Sequence, residues 1–242
     1  MSAHRQGVTD EDLELVDAVA RFAASTLAPR AAALDESEAS CLEHVPALGA
    51  MGLMGLNLPV ELGGPGATPA GTLLALAEIS KHCAATSSMI GAHYLGTDAV
   101  YLGGDEAQQR RYLPRLLSGE DFWCQLFSEP GAGSDLANLG TRAVRDGDEF
   151  VVNGQKIWTS GAQYAKYGIL IARTDADAPK HKGISYFICP MDLPGIEIRP
   201  IVEMTGGTTF NEVFFTDVRL PAENLVGDLH DGWRLEIGRA HV

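Results

Sequence analysis

The sequence predicts an α+β protein: an all-α helical domain followed by a small β domain of barrel or sandwich type. Three observations carry this reading. Apolar residues recur at helical spacing through the first half. After Gly119 the pattern changes to short extended runs. Turn signals then separate those runs at the intervals a barrel or sandwich needs. The expected limits are 1–120 for the helical domain and 121–235 for the β domain, with a separate tail at 236–242.

The elements follow in order. "TDED", Thr9 to Asp12, is a capping-box pattern with Thr9 as N-cap. Leu13, Val16, Ala20 and Ala23 or Ala24 then share one face, so a helix runs toward the alanine-rich stretch near Arg30. Pro29 is placed to kink or end it. A short helix is expected around Pro46 to Met51. "MGLMGLNLPVELGGPGATP" holds too much glycine and proline for a regular element and reads as loop. Pro69 to about His82 is helical again, with Leu73, Leu76, Ala77 and Ile79 as the expected buried set. Ala84 to Leu102 is a largely apolar helix stopped by Gly103-Gly104. Asp105 caps "EAQQRRYLPRLLSG", whose end is marked by Gly119. Pro114 inside that stretch predicts a break or kink.

Beyond Gly119, "TRAVRDGDEFVVNG" gives two extended runs around Asp146-Gly147, a strong hairpin signal. Ile169–Arg173, Ile184–Cys189, Ile196–Arg199 and Glu212–Phe215 are further β-type runs. "VRLPAENLVG", Val218 to Gly227, reads as an extended exit from the β domain.

Composition narrows the function. The chain has 242 residues and a formal net charge of -14. Phosphate neutralisation needs Lys and Arg, so a general nucleic-acid binder is excluded. Cys41, Cys83, Cys124 and Cys189 are far apart and form no CxxC pair. Free thiols in a reducing cytosol are expected, with no metal site and no disulfide. The N-terminus has no apolar signal-peptide core, and no run of about 20 apolar residues exists, so no membrane span is expected.

One loop stands out. "SEPGAGSD", Ser128 to Asp135, follows the apolar run Phe122 to Phe127. Alone it is compatible with a plain type I or II turn joining two domains. It does not stand alone. "CQLFSEPGAGSDLAN" (Cys124 to Asn138), "VNGQKIWTSGAQYAKYGILIAR" (Val152 to Arg173) and "EVFFTDVRLPAENLVG" (Glu212 to Gly227) occur in order, and together they resemble the acyl-CoA dehydrogenase family. The resemblance covers Val8 to Arg234. It implies an N-terminal helical domain and a middle β domain; the family's C-terminal four-helix domain has no counterpart in the sequence.

The resemblance implies FAD as cofactor and α,β-dehydrogenation of an acyl-CoA thioester, with hydride passing to flavin N5. Ser128 resembles the hydroxyl residue that bonds the flavin's pyrimidine side. Ser134 resembles the serine that reaches the pyrophosphate and lies near the acyl-CoA. Gly131 and Gly133 would let backbone N–H groups approach closely, with positive φ where required. Trp158 would pack on the isoalloxazine, and Ser160, in Trp158-Thr159-Ser160, would offer its hydroxyl near N5. Gln125, Leu126 and Phe127 are looser matches, acting mainly through backbone groups. His93 and Tyr94 either touch substrate or are satisfied core groups. No residue matches the family's catalytic Glu, and Glu129 corresponds to a residue that is not the base.

Expected partners are acyl-CoA, an electron-transfer flavoprotein or similar acceptor, and further subunits in a homo- or hetero-tetramer. The expected location is cytoplasmic. The alternatives are a related flavoenzyme (acyl-CoA oxidase, nitroalkane oxidase or monooxygenase) or a non-catalytic subunit of a heteromeric dehydrogenase. The last seven residues, "EIGRAHV", break the preceding pattern and match the translation of a common sequencing-adapter oligonucleotide. The expectation is a reading frame that ran into adapter sequence, leaving a truncated chain that is inactive alone.

Overall fold

The structure is a computed structural model that describes residues 7–239, with side chains to residue 236. His4 and the last three residues of the unusual tail lie outside the described residues; Glu236 to Arg239 continue a helix. The chain forms two compact units. The first holds the residues up to Tyr94 together with Leu113–Glu120; the second holds Leu95–Tyr112 and the residues from Asp121 onward.

In the first unit, α1 (Asp10–Phe22) begins at the expected capping box. Thr9 Oγ1 accepts from the Asp12 N–H at 3.1 Å, and Asp12 Oδ2 accepts from the Thr9 N–H at 2.9 Å. The Asp12 carboxylate also accepts from Thr68 N–H (3.0 Å) and Thr68 Oγ1 (2.7 Å). Thr68 is in turn the N-cap of α4 (Pro69–His82). One buried carboxylate therefore serves the start of two helices. Burial alone would raise its pKa, but the hydrogen bonds from Thr9 and Thr68 outweigh this and hold it below the usual value.

Pro29 does not end the helical path. A π-helical turn (Ala23–Leu27) separates α1 from α2 (Ala28–Ser37). That wider turn places Pro29 in the first turn of a new helix, where its missing N–H is no loss. A 3₁₀ turn (Cys41–His44) and α3 (Val45–Ala50) follow.

The buried face of α4 differs from the expected one. Gly71, Thr72, Ala75 and Ile79 are buried, Leu76 is half-buried, and Leu73 and Ala77 are exposed. The small residues face inward because the Asp12 side chain lies against Gly71, where a Cβ would meet Oδ1 at 2.1 Å. The unit's core is formed by Val19, Leu27, Leu48, Leu53, Ile79 and Ile90, among others.

α5 (Ala84–Gly103) and α6 (Glu106–Leu117) complete the helices before the sheet. α6 runs through Pro114 without a break, with buried Tyr112, Leu113 and Leu116 around it. Its start is capped as expected: Asp105 Oδ1 accepts from the Gln108 N–H at 2.8 Å. His93 and Tyr94 are core groups. His93 Nε2 donates to the Leu116 carbonyl at 3.0 Å, and Tyr94 OH donates to the Leu53 carbonyl at 2.8 Å. Burial pulls the His93 imidazole down to about 4, so it is neutral at pH 7.

The second unit is built on one eight-stranded sheet. Its strands are β1 (Trp123–Leu126), β2 (Arg142–Asp146), β3 (Glu149–Ser160), β4 (Tyr167–Arg173), β5 (Ile184–Pro190), β6 (Ile196–Pro200), β7 (Phe210–Pro221) and β8 (Leu225–Val226). The order is β6-β7-β3-β2-β4-β5-β8, with β1 paired in parallel to β4. The β2–β3 hairpin turns at Gly147-Asp148, one residue later than expected, because Asp146 pairs with Glu149. β7 begins earlier and runs longer than its sequence signal, since both β3 and β6 pair with it. Val218–Gly227 is not an exit: it finishes β7, makes a 3₁₀ turn and returns to the sheet as β8 beside β5. Phe150, Val152, Leu170, Phe187, Val213 and Val218 are among the core residues. Gln108 adds two hydrogen bonds at 2.8 Å, to the Glu223 and Leu225 carbonyls. The Tyr112 ring meets Trp123 and Tyr167 edge-on. A final helix, α7 (Gly232–Arg239), follows.

Candidate functional site

The loop at Ser128–Asp135 is fixed to the sheet at several points. The Glu129 N–H donates to the Ala132 carbonyl (2.9 Å) and the Ala132 N–H to the Glu129 carbonyl (3.0 Å), so Pro130-Gly131 is the tip of a tight turn. Gly131 and Gly133 are exposed, with nothing within 4 Å of where a Cβ would sit, and neither has positive φ. They leave the backbone open to approach; left-handed geometry is not their role.

The deciding contact joins this loop to β3. The Ile157 N–H donates to the Ser128 carbonyl at 2.9 Å. The two separated segments, Ser128 and Trp158-Thr159-Ser160, therefore meet. β3 leaves its register with β7 between Lys156 and Thr159, so the ladder skips Ile157 and Trp158. At that bulge Trp158 has φ +62°, a left-handed conformation that is uncommon for a bulky residue. Its indole is 57% exposed and is met edge-on by Phe210, with ring centroids 6.0 Å apart.

Each expected residue can now be placed. Ser128 is half-buried; Ser134 and Ser160 are exposed. None of the three hydroxyls meets a protein partner among the described residues, so they are available as donors. Thr159 is buried and its backbone carbonyl accepts from Asn211 Nδ2 at 2.9 Å, while its hydroxyl finds no partner. Leu126 and Phe127 are buried, the Phe127 ring packed edge-on to Tyr186, and Gln125 is half-buried on β1. Those three are thus core or backbone elements behind the loop. An exposed aromatic side chain, hydroxyls without a protein partner and an open glycine turn, carried on segments that the Ile157–Ser128 bond joins, are groups able to meet a planar ligand with a polar rim.

Behind this surface lies a charge pair that sequence reading missed. The Lys156 side chain is fully buried; Nζ donates to Glu129 Oε1 at 2.8 Å and to the Phe127 carbonyl at 2.9 Å. Glu129 also accepts from the Gly140 N–H (2.6 Å) and the Thr141 N–H (2.9 Å). Burial pulls the Lys156 ammonium down to about 8, against the pull of Glu129. Burial would raise the Glu129 carboxyl, but the Lys156 charge and these hydrogen bonds bring it below its ordinary value. At pH 7 both groups are charged. The signal for Lys156 was the period of β3: Phe150, Val152 and Lys156 are all buried residues of that strand.

The sequence description "Acyl-CoA dehydrogenase, N-terminal domain" matches residues 9–120, and "Acyl-CoA dehydrogenase, middle domain" matches 124–218. The chain belongs to the acyl-CoA dehydrogenase family. It is 47% identical over 189 residues to acyl-CoA dehydrogenase FadE34 of Mycobacterium tuberculosis, a match covering 78% of this chain and 26% of that one. A solved ChsE4-ChsE5 complex from Mycobacterium tuberculosis aligns with TM-score 0.82 and 34% identity over 98% of this chain and 61% of its own. A glutaryl-CoA dehydrogenase from Mycobacterium smegmatis in complex with FADH2 aligns with TM-score 0.83 and 27% identity, over 94% and 58%. Other curated relatives are spanned over 48% to 60% of their length.

Among the described residues no group of His, Cys, Asp and Glu is arranged to hold a metal ion. No helix among them is long and apolar enough to cross a membrane.

Proposed function

We propose that the acyl-CoA dehydrogenase to which this chain belongs carries out flavin-dependent α,β-dehydrogenation of an acyl-CoA thioester, and that this chain supplies the surface that holds FAD. The observation that carries the reading is the Ile157 N–H to Ser128 carbonyl bond, which brings the two hydroxyl-bearing segments together. The FADH2 complex of a related protein supports the choice of cofactor. Bound FAD supplies the hydride-accepting chemistry at N5.

The chain's own residues bind and orient. Ser128 offers an O–H donor for the pyrimidine edge. Trp158 would offer an aromatic face to the flavin ring, and Ser160 would offer its hydroxyl to it. Ser134 and the open amides around Gly131 and Gly133 would hold the pyrophosphate, and Ser134 would also serve the acyl-CoA. Gln125, Leu126, Phe127 and Thr159 supply the backbone frame. Preorganised donors cost no reorganisation at the moment of reaction.

Removal of the α-proton needs a carboxylate with a free lone pair at the substrate. Glu129 does not qualify, since its carboxylate is turned inward onto Lys156 and two backbone N–H groups and is only 10% exposed. The proposed base lies outside this chain, and the chain alone is proposed to be inactive. Electrons are proposed to leave to an electron-transfer flavoprotein or similar acceptor. Assembly with a second kind of subunit is supported by the two-component ChsE4-ChsE5 complex. A cytoplasmic location is part of the same proposal.

The test is to express the full-length gene product, look for bound flavin, and scan acyl-CoA thioesters against an artificial electron acceptor. Bound flavin and acyl-CoA-dependent reduction of the acceptor are expected. A product that neither binds flavin nor reduces the acceptor would sink the reading.

A further inference from the structure

The Lys156–Glu129 pair is a poor device for stability. Taking the two charges out of water costs hydration that their mutual attraction does little more than restore. An apolar side chain on this face of β3 would join the neighbouring core, as Val152 does. What the pair provides and an apolar residue cannot is direction. The ammonium reaches two points on one segment, the Phe127 carbonyl and the Glu129 carboxylate, which flank Ser128. On its own strand Lys156 immediately precedes Ile157, whose N–H holds the Ser128 carbonyl, and Trp158, held at φ +62°. This is the stretch where β3 loses its register with β7, so ladder bonds to β7 do not fix Ile157 and Trp158. Glu129 extends the tie to the Gly140 and Thr141 N–H groups, closing the far end of the loop.

We infer that Lys156 is a positioning residue, holding Ser128 and Trp158–Ser160 at a fixed separation so that the flavin-facing surface is assembled before the cofactor arrives. The inference rests on the proposed flavin reading and deepens it. Lys156 itself lies behind that surface and acts through the segments it ties.

The experiment compares the full-length gene product with Lys156→Met and with the double variant Lys156→Met/Glu129→Gln, which removes both charges together. Thermal midpoint and amide hydrogen exchange at Ile157 are read without cofactor. FAD affinity is then read by fluorescence titration, and the bound flavin's visible absorption bands are recorded. The double variant is expected to fold with a near-native midpoint. Its Ile157 amide should exchange about tenfold faster or more, and FAD should bind about tenfold more weakly, with shifted bands. Should Lys156→Met fail to fold, the double variant decides. A double variant whose Ile157 protection and FAD affinity stay within about twofold of native overturns the inference. Failure of both variants to fold overturns it too, because the pair would then serve the fold as a whole. A native protein that binds no FAD defeats the flavin reading separately, since exchange at Ile157 needs no cofactor.

Discussion

At Trp158 a bulky aromatic residue sits in the left-handed region, at a cost of about 1–2 kcal/mol. The surrounding bulge imposes that conformation, and the exposed indole gains little burial in return. Trp158→Gly removes the strain and also the edge contact with Phe210, two effects of about 1 kcal/mol and opposite sign. Thermal melts should therefore show a stability change within about 1 kcal/mol, while FAD affinity in the full-length protein falls. A large stability loss would mean that the indole serves the fold. His93 gives the pH prediction. Its folded pKa of about 4 lies below the ordinary value of 6.5, so between those values the unfolded chain binds the extra proton. The stability it contributes is complete above about pH 6.5 and is lost as pH falls toward 4. Between pH 7 and pH 5 the loss is about 2 kcal/mol. His93→Gln should flatten that slope in denaturant titrations, and an unchanged slope would refute the assignment.

Among the elements, α1 and α4 show what a single side chain can tie. Asp12→Ala removes a capping-box partner and strands the Thr68 N–H, so a loss of about 2–3 kcal/mol is expected in urea unfolding, against about 1 for Thr9→Ala. Equal losses would show that the Thr68 bonds carry nothing. The bounds of α4 were legible because Thr68-Pro69 makes a strong start and Lys81-His82 a natural finish. Its buried face was not legible. Periodicity favours leucines inward, but the approach of Asp12 selects Gly71 and Ala75 and turns Leu73 out. Pro114 does not break α6 for a related reason: a proline costs about 3 kcal/mol in isolation, and buried neighbours on both sides of it keep the helix continuous. At the site, the loop and the Trp-Thr-Ser segment were legible from residue type and order. The period of β3 marks Lys156 as buried, but its partners, like the left-handed Trp158, depend on which segment lies alongside, and no local pattern reports that.

On the scale of the molecule, the change of period at Gly119 and the compact units follow different lines. Leu95–Tyr112 is helical, yet it shares a compact unit with the sheet. Packing, not periodicity, decides which residues share a core. A fragment beginning at Asp121 loses the Tyr112 ring from its place beside Trp123 and Tyr167, and the two Gln108 hydrogen bonds. It should be less stable by about 3 kcal/mol or more than a fragment beginning at Leu95, as judged by the thermal midpoint. Equal midpoints would mean that the sheet stands without those helices.

The four cysteines are all buried, and burial pushes the Cys189 thiol up to about 12 and Cys124 upward as well. Those two thiols carry almost no thiolate at neutral pH, so a maleimide label has little to attack in the sheet. A cysteine introduced at Tyr164, which is 61% exposed, would be far more accessible to a dye than either of them. The sheet can thus carry a single reporter for spectroscopy with its own two thiols left in place.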